Sequence, residues 1–342
     1  MTQTSRELVQ RCLKFEHPQR VPRDLWVLPW AETHYPEQLA EIEAQYPGDF
    51  INAVDVYKPS PRVKGDPYEI GTYVDEWGCT FINIQKGVIG EVRDPLVKDI
   101  DDWQTLKPPF ETLPDAVQKA RDQVNAFCHS TDKFVTSGCC PRPWERYQFI
   151  RGTVNAMMDV MDADERALKL LKSIHDFYLK EVEFWTSTDI DAIFFMDDWG
   201  AQSQLLIPPA LWHEIFKPLY IEYVEMAHAA NKFIFMHSDG HIEAIYPALA
   251  EIGVDAVNSQ LFCMDFKNLA ESVKGKLTFW GEIDRQHILT SPDPTAGRKA
   301  VQSVVDHLYD PAGGVIAQLE FGAGANPETV KAVFQAWEEL TG

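Results

Sequence analysis

The sequence predicts an α/β protein folded as a closed (β/α)8 TIM barrel with an N-terminal helical and irregular extension. Three observations predict it. From about residue 130, short apolar, β-branched or aromatic runs alternate with longer stretches whose apolar residues recur every three or four positions. The short runs are apolar on both faces, as in strands of a parallel sheet covered on each side. Repeated βα units suit either a closed barrel or a doubly wound sheet, and no G-x-G-x-x-G follows an early strand to favour the open form. No low-complexity tract, short-period repeat or Gly/Ser-rich linker divides the chain, so residues 1–342 are expected to form a single domain.

Taken in order, "SRELVQRCLKF" (5–15) reads as a short helix, and "RVPRDLWVLPW" (20–30) as the first strand. Later strand candidates are "KFVTSG" (133–138), "AIFFMDD" (192–198), "FIFMHSD" (233–239), "DAVNSQ" (255–260), "LTFWGEID" (277–284) and "GVIAQLEFG" (314–322). Between them, "DADERALKLLKSIHDFYLKEVEFW" opens with acidic residues suited to a helix N-terminus. It sets Leu168, Leu171, Ile174, Tyr178, Val182 and Trp185 on one stripe, which should pack outside the sheet. "PPALWHEIFKPLYIEYVEMAHAANK" is helical by the same test, but Pro218 removes a backbone donor in its middle, so a kink or break is expected there.

Composition narrows the partners. With 31 basic and 52 acidic residues the net charge is −21, which repels phosphate backbones and anionic membrane surfaces; neither nucleic acid nor membrane is an expected partner. The N-terminal stretch is charged throughout, with no apolar signal region, and no window approaches a membrane span, so a cytoplasmic location is expected. Six cysteines (Cys12, Cys79, Cys128, Cys139, Cys140 and Cys263) are scattered with no C-x-x-C pair. They read as reduced thiols, mostly buried, with Cys79 and Cys140 in the core.

The chemistry collects at strand ends. In a parallel barrel the functional site lies at the C-terminal mouth, where each strand breaks into a loop. Asp197 and Asp198 end one strand candidate, His237 and Asp239 the next, Asn258 and Gln260 another, then Glu282 and Asp284, and finally Glu320. Singly, each has a plain alternative: Asp and Asn at strand ends commonly cap the following helix, and a lone histidine is commonly a core residue satisfied by one hydrogen bond. Together they are harder to dismiss. His237 and Asp239, at i and i+2 of one strand, point the same way. With a carboxylate from another strand end they resemble a His/carboxylate site for Zn²⁺ or a similar divalent ion acting as a Lewis acid; the metal-free alternative is acid–base chemistry tuned by burial. Trp199, Phe279, Trp280 and Phe321 flank these ends and suit either flat walls for a planar ligand or ordinary rim packing.

The order of motifs resembles the uroporphyrinogen decarboxylase superfamily, which includes cobalamin-dependent methyltransferases. "RELVQRCLKFEHPQRVPRDLW" is similar to its opening helix and first strand; "RGTVNAMMDVMDADERALKLL", "FFMDDWGAQSQLLIPPALWHEIFKPLY", "FIFMHSDG" and "FWGEIDRQHIL" follow in its order, and "GGVIAQLEFGAGANPETVKAVFQAW" resembles its closing glycine-rich loop and helix. The resemblance covers nearly the whole chain and implies a (β/α)8 barrel. Two departures direct the function. Decarboxylases of the family clamp porphyrinogen carboxylates with arginine near the first strand, but "LWVLPWAETHYPE" has none. Thiol-directed methyltransferases bind zinc through His-x-Cys-Gly and a cysteine in the closing loop. Here His237 and Gly240 remain, Asp239 replaces the first cysteine, and the closing loop offers Glu320. Carboxylates leave a metal harder, which suits an oxygen leaving group.

The resemblance thus implies a corrinoid-dependent methyltransferase of the O-demethylase type. It would act on a methoxylated, potentially aromatic, small-molecule methyl donor and on a corrinoid carried by a separate partner protein. His237, Asp239 and Glu320 are the expected metal ligands or ether-polarising groups, and Asp198, Gln202 and Glu282 the groups that orient substrate or supply a proton. Trp199, Gln260, Trp280 and Phe321 complete the expected substrate contacts, and a homodimer stays open. Alternatives are a decarboxylase of a porphyrinogen-like or aromatic acid, and a non-catalytic ligand-binding barrel.

Overall fold

Eight parallel strands form a nearly closed barrel in a computed structural model that describes residues 3–138 and 141–341. The strands of the chain are β1 (Arg23–Val27), β2 (Phe50–Asn52), β3 (Gly71–Val74), β4 (Thr80–Asn83), β5 (Glu91–Asp94), β6 (Phe134–Thr136), β7 (Ala192–Met196), β8 (Phe233–Ser238), β9 (Ala256–Ser259), β10 (Thr278–Trp280) and β11 (Val315–Phe321). The barrel order is β1-β11-β10-β9-β8-β7-β6-β2. Its two end strands, β1 and β2, are not laddered to each other. They meet through the Asp49 N–H, which donates to the Arg23 carbonyl at 2.9 Å. Asp49 also holds this seam with its side chain: the fully buried carboxylate accepts from the Ser5 hydroxyl, both terminal nitrogens of Arg20 and the Arg23 N–H, all within 2.7 Å.

Apolar residues on both faces of each strand produce two cores. Inside the barrel, Phe134, Phe235, Trp280 and Ile316 pack with Trp26, Phe50, Phe194 and Phe233. The N-terminal helix Ser5–Leu13 adds Val9, Cys12 and Leu13 to that interior cluster and plugs the N-terminal end of the barrel. Its start is fixed by a capping box between Thr4 and Glu7. Outside, the helices cover the sheet. Helix Glu165–Thr186 is capped by Asp164 and buries Leu171, Ile174, Tyr178, Val182 and Trp185, with Leu168 half-buried at the margin of the stripe.

Pro218 acts as expected, by a specific route. One turn of π-helix, Trp212–Phe216, precedes the α-helix Lys217–Ala229, and the Lys217 N–H reaches back to Trp212. Since proline has no N–H for the next rung, the wider turn absorbs the break without ending the helix.

One insertion adds to the expected barrel. Between β2 and β6 the chain forms a three-stranded antiparallel sheet, β3-β4-β5, and the helix Val117–His129. Cys12, Cys79 and Cys128 are buried free thiols and Cys263 is partly exposed; Cys140, expected in the core, lies with Cys139 outside the described residues. Among the described residues no helix is long and apolar enough to cross a membrane.

Candidate functional site at the barrel mouth

The ends of β7 and β8 deliver the central group. Ligand atoms of Asp198, His237 and Asp239 lie within 4.8 Å of one another. His237 is buried, and its ring orientation is set from below. Asn258 Nδ2 donates to the Trp280 carbonyl, which turns Asn258 Oδ1 toward His237 Nδ1 at 2.6 Å. That bond assigns the proton to Nδ1 and leaves the Nε2 lone pair free. Nε2 stands 3.6 Å from both Asp198 Oδ1 and Asp239 Oδ1. Asp239 Oδ1 is buried and has no hydrogen-bond partner among the described residues.

Two loops are locked together to hold these groups. Gly200 and Gly240 approach backbone to backbone: a Cβ on Gly240, whose φ is +76°, would meet the Gly200 oxygen at 2.2 Å. The Gly200 N–H donates to the Asp239 carbonyl at 3.0 Å, and the Asp239 N–H to Asp198 Oδ1 at 2.9 Å. The Asp198 carboxylate is therefore positioned by the Asp239 backbone, whose carbonyl is in turn held by the Gly200 N–H.

Arg285 organises the remaining acids. Its guanidinium binds Asp239 and lies 3.5 Å from Glu282 and 3.3 Å from Glu320. Burial works against the arginine's charge, but the three carboxylates outweigh it and raise its pKa. Glu282 is 2% exposed, its Oε1 accepts no hydrogen bond among the described residues although it faces Arg285, and burial pushes it up to about 8, with Arg285 pulling the other way. Burial likewise raises Asp198 and Glu320. Gln318, next to them on β11, is buried with neither end of its amide hydrogen-bonded among the described residues.

The five expected catalytic side chains, Asp198, His237, Asp239, Glu282 and Glu320, thus occupy one rim, linked through His237 and Arg285. The ligand set is drawn differently from the expected one. Glu320 turns to Arg285, and Asp198 supplies the second carboxylate beside His237. Gln202 and Gln260 line a recess of ≈ 150 Å³ with Glu282 and Arg285, where Gln260 accepts from the Gly240 N–H at 3.1 Å. Trp280 lines the barrel interior.

Three of the expected ligand walls, Trp199, Phe279 and Phe321, are core residues. Trp199 is fully buried, stacked on Trp144 at 5.1 Å, with its indole N–H on the Tyr220 hydroxyl. Phe321 follows inward-facing Glu320, so strand alternation turns it outward, where it is fully buried and stacks on Tyr35. Asp197 and Asp284 are caps: Asp197 accepts the N–H groups of Trp144 and Glu145 at the start of helix Pro143–Arg151, and Asp284 those of Gln286 and His287.

Sequence reasoning passed over Arg285, Gln318 and Asp24. Arg285 sat within the quoted "FWGEIDRQHIL", and a lone cation amid acids was its signal. Asp24, in β1, is buried in the barrel interior, accepts both the Trp26 and Trp280 indole N–H groups at 2.9 Å, and is pushed up to about 6 by burial.

One solved structure supports this architecture. A methyltransferase from Methanosarcina mazei superposes with a TM-score of 0.66 at 15% identity, over 98% of this chain and 99% of that one. A putative vitamin-B12-independent methionine synthase from Listeria monocytogenes gives 0.46 at 12% identity, over 89% and 85%. No curated protein matches the sequence. The match to the family described as uroporphyrinogen decarboxylase (URO-D) runs over residues 67–340, and the chain belongs to that family.

Proposed function

We propose that the protein is a methyltransferase that takes a methyl group from a methoxylated aromatic compound and passes it to a corrinoid carried by a separate partner protein. Family membership and a fold shared with a methyltransferase support the class. The observation that carries the chemistry is His237, with Nδ1 fixed on Asn258 and Nε2 facing Asp198 and Asp239. One imidazole and two carboxylates, without a thiolate, suit a divalent ion such as zinc and would leave it a stronger Lewis acid than thiolates do. The unpartnered Asp239 Oδ1 is the atom that a cation would satisfy. Bound by Asp198, His237 and Asp239, such an ion would supply Lewis acidity toward an ether oxygen.

Demethylation of an ether breaks the O–CH₃ bond, moves the methyl to the reduced corrinoid and leaves the bonding pair on oxygen, which then needs a proton. Glu282, held protonated at neutral pH by burial, has one to give. The resulting carboxylate faces the Arg285 guanidinium. Gln202 and Gln260, on the adjoining recess, orient the substrate. Loss of carbon dioxide from an aromatic acid is the second reading, favoured by Arg285 as a cation for a substrate carboxylate. Against it, three acids already engage that guanidinium.

The test mixes the protein with reduced corrinoid protein and arenes whose methoxyl carbon is labelled. Label should appear on the corrinoid, a chelator should abolish transfer, and zinc should restore it. Glu282→Gln should lower kcat by about 100-fold. Absence of transfer from every methoxyarene, with carbon dioxide released from an aromatic acid, would reverse the ranking.

A further inference from the structure

A cavity of ≈ 450 Å³ opens at the seam between β1 and β2 into the barrel interior, a volume in the range of small-molecule pockets. Its walls include the rings of Trp26, Phe50, Phe194 and Trp280, and among them stands the carboxylate of Asp24. A carboxylate so placed is costly unless it is hydrogen-bonded. Half of this one is. Both indole N–H groups converge on the same oxygen, Oδ2, while Oδ1 receives no hydrogen bond from any described residue, although Asp24 is only 8% exposed. The two indoles therefore fix the plane of the group and leave one acceptor atom for the cavity.

Trp26 connects this carboxylate to the rim. Its N–H is on Asp24, and its ring centre lies 5.3 Å from that of His237. The indole of Trp26 thus extends from Asp24 to beside His237, which is not itself among the residues that line the cavity.

We propose that this cavity takes the ring of an aromatic ligand bearing an O–H or N–H donor at the end remote from His237, and that Asp24 selects for that donor. The inference rests on His237 being the reaction centre, and it narrows the methyl donor to methoxyarenes with a hydroxyl or amino group across the ring. A second ether or a carboxylate at that position presents only lone pairs to Oδ1, leaving two acceptors face to face.

The test is a binding measurement without corrinoid protein, by tryptophan fluorescence and calorimetry, using 4-methoxyphenol and 1,4-dimethoxybenzene as probes. The wild-type protein should bind the phenol about tenfold more tightly. In Asp24→Asn the indoles hold the amide oxygen and turn its NH₂ toward the cavity, so the preference should vanish or reverse. Because the ratio of two dissociation constants is taken within one protein, partial unfolding of a variant does not mimic this result. Trp280→Phe, which keeps the carboxylate but frees it to rotate, should narrow the ratio and serves if the asparagine variant does not fold. A wild-type ratio near one, no binding of either probe, or a ratio unchanged in the variants would overturn the proposal. An Asp24-dependent preference without methyl transfer would sink the proposed reaction and leave the pocket standing. Transfer with an unchanged ratio would do the opposite.

Discussion

Glu282 shows how burial can set a protonation state at the rim against a neighbouring cation. The pKa of the side chain rises from 4.5 to about 8 chiefly through desolvation, with Arg285 opposing. In the unfolded chain the group ionises near its ordinary value, so between these two pH values the folded protein keeps a proton that the unfolded chain has lost. The folded state binds more protons, and stability therefore falls as pH rises through this window and levels off above it. Glu282→Gln should flatten that slope by up to about 1.4 kcal/mol per pH unit. Urea midpoints of the two proteins across the window check it; identical slopes would assign the proton to another group.

At the scale of elements, the loops after β7 and β8 act as one unit through Gly200 and Gly240. Gly240→Ala places a methyl against the Gly200 backbone and imposes a left-handed φ on alanine, which should cost about 3 kcal/mol. A denaturation midpoint within error of wild type would show that the loops can separate. Element visibility in the sequence followed length and composition. The long apolar runs that became β7, β8 and β11 were legible because both of their faces are buried. The three-residue β2 was not, since "FIN" carries too few residues to show any period, and the alternating β3, β4 and β5 lie in a stretch broken by prolines. Strand ends located the acids of the site, but not which neighbour each would meet. Asp198 stands in the place beside His237 that was expected of Glu320, because Arg285, far from both in sequence, pairs with Glu320. Phe321 was legible in principle, as alternation against Glu320 turns it outward.

Over the whole molecule, the barrel is held at both ends by different means: interlocked loops at the mouth, and below them the helix Ser5–Leu13 tied through Asp49 to the seam. Asp49→Ala would strand the Arg20 guanidinium and the Arg23 N–H together, and a loss on the order of 3 kcal/mol is expected. Hydrogen exchange should then quicken first in β1 and β2; uniform exchange across the sheet would argue that the seam is not the weak line. The same seam has an evolutionary side. Every other neighbouring pair in the barrel is laddered, whereas β1 and β2 are joined by the Asp49 contacts in place of a ladder. Descendants or designed variants that accept bulkier guests would accordingly accumulate their changes at positions 25–28 and 50–52, ahead of any alteration to the reacting groups.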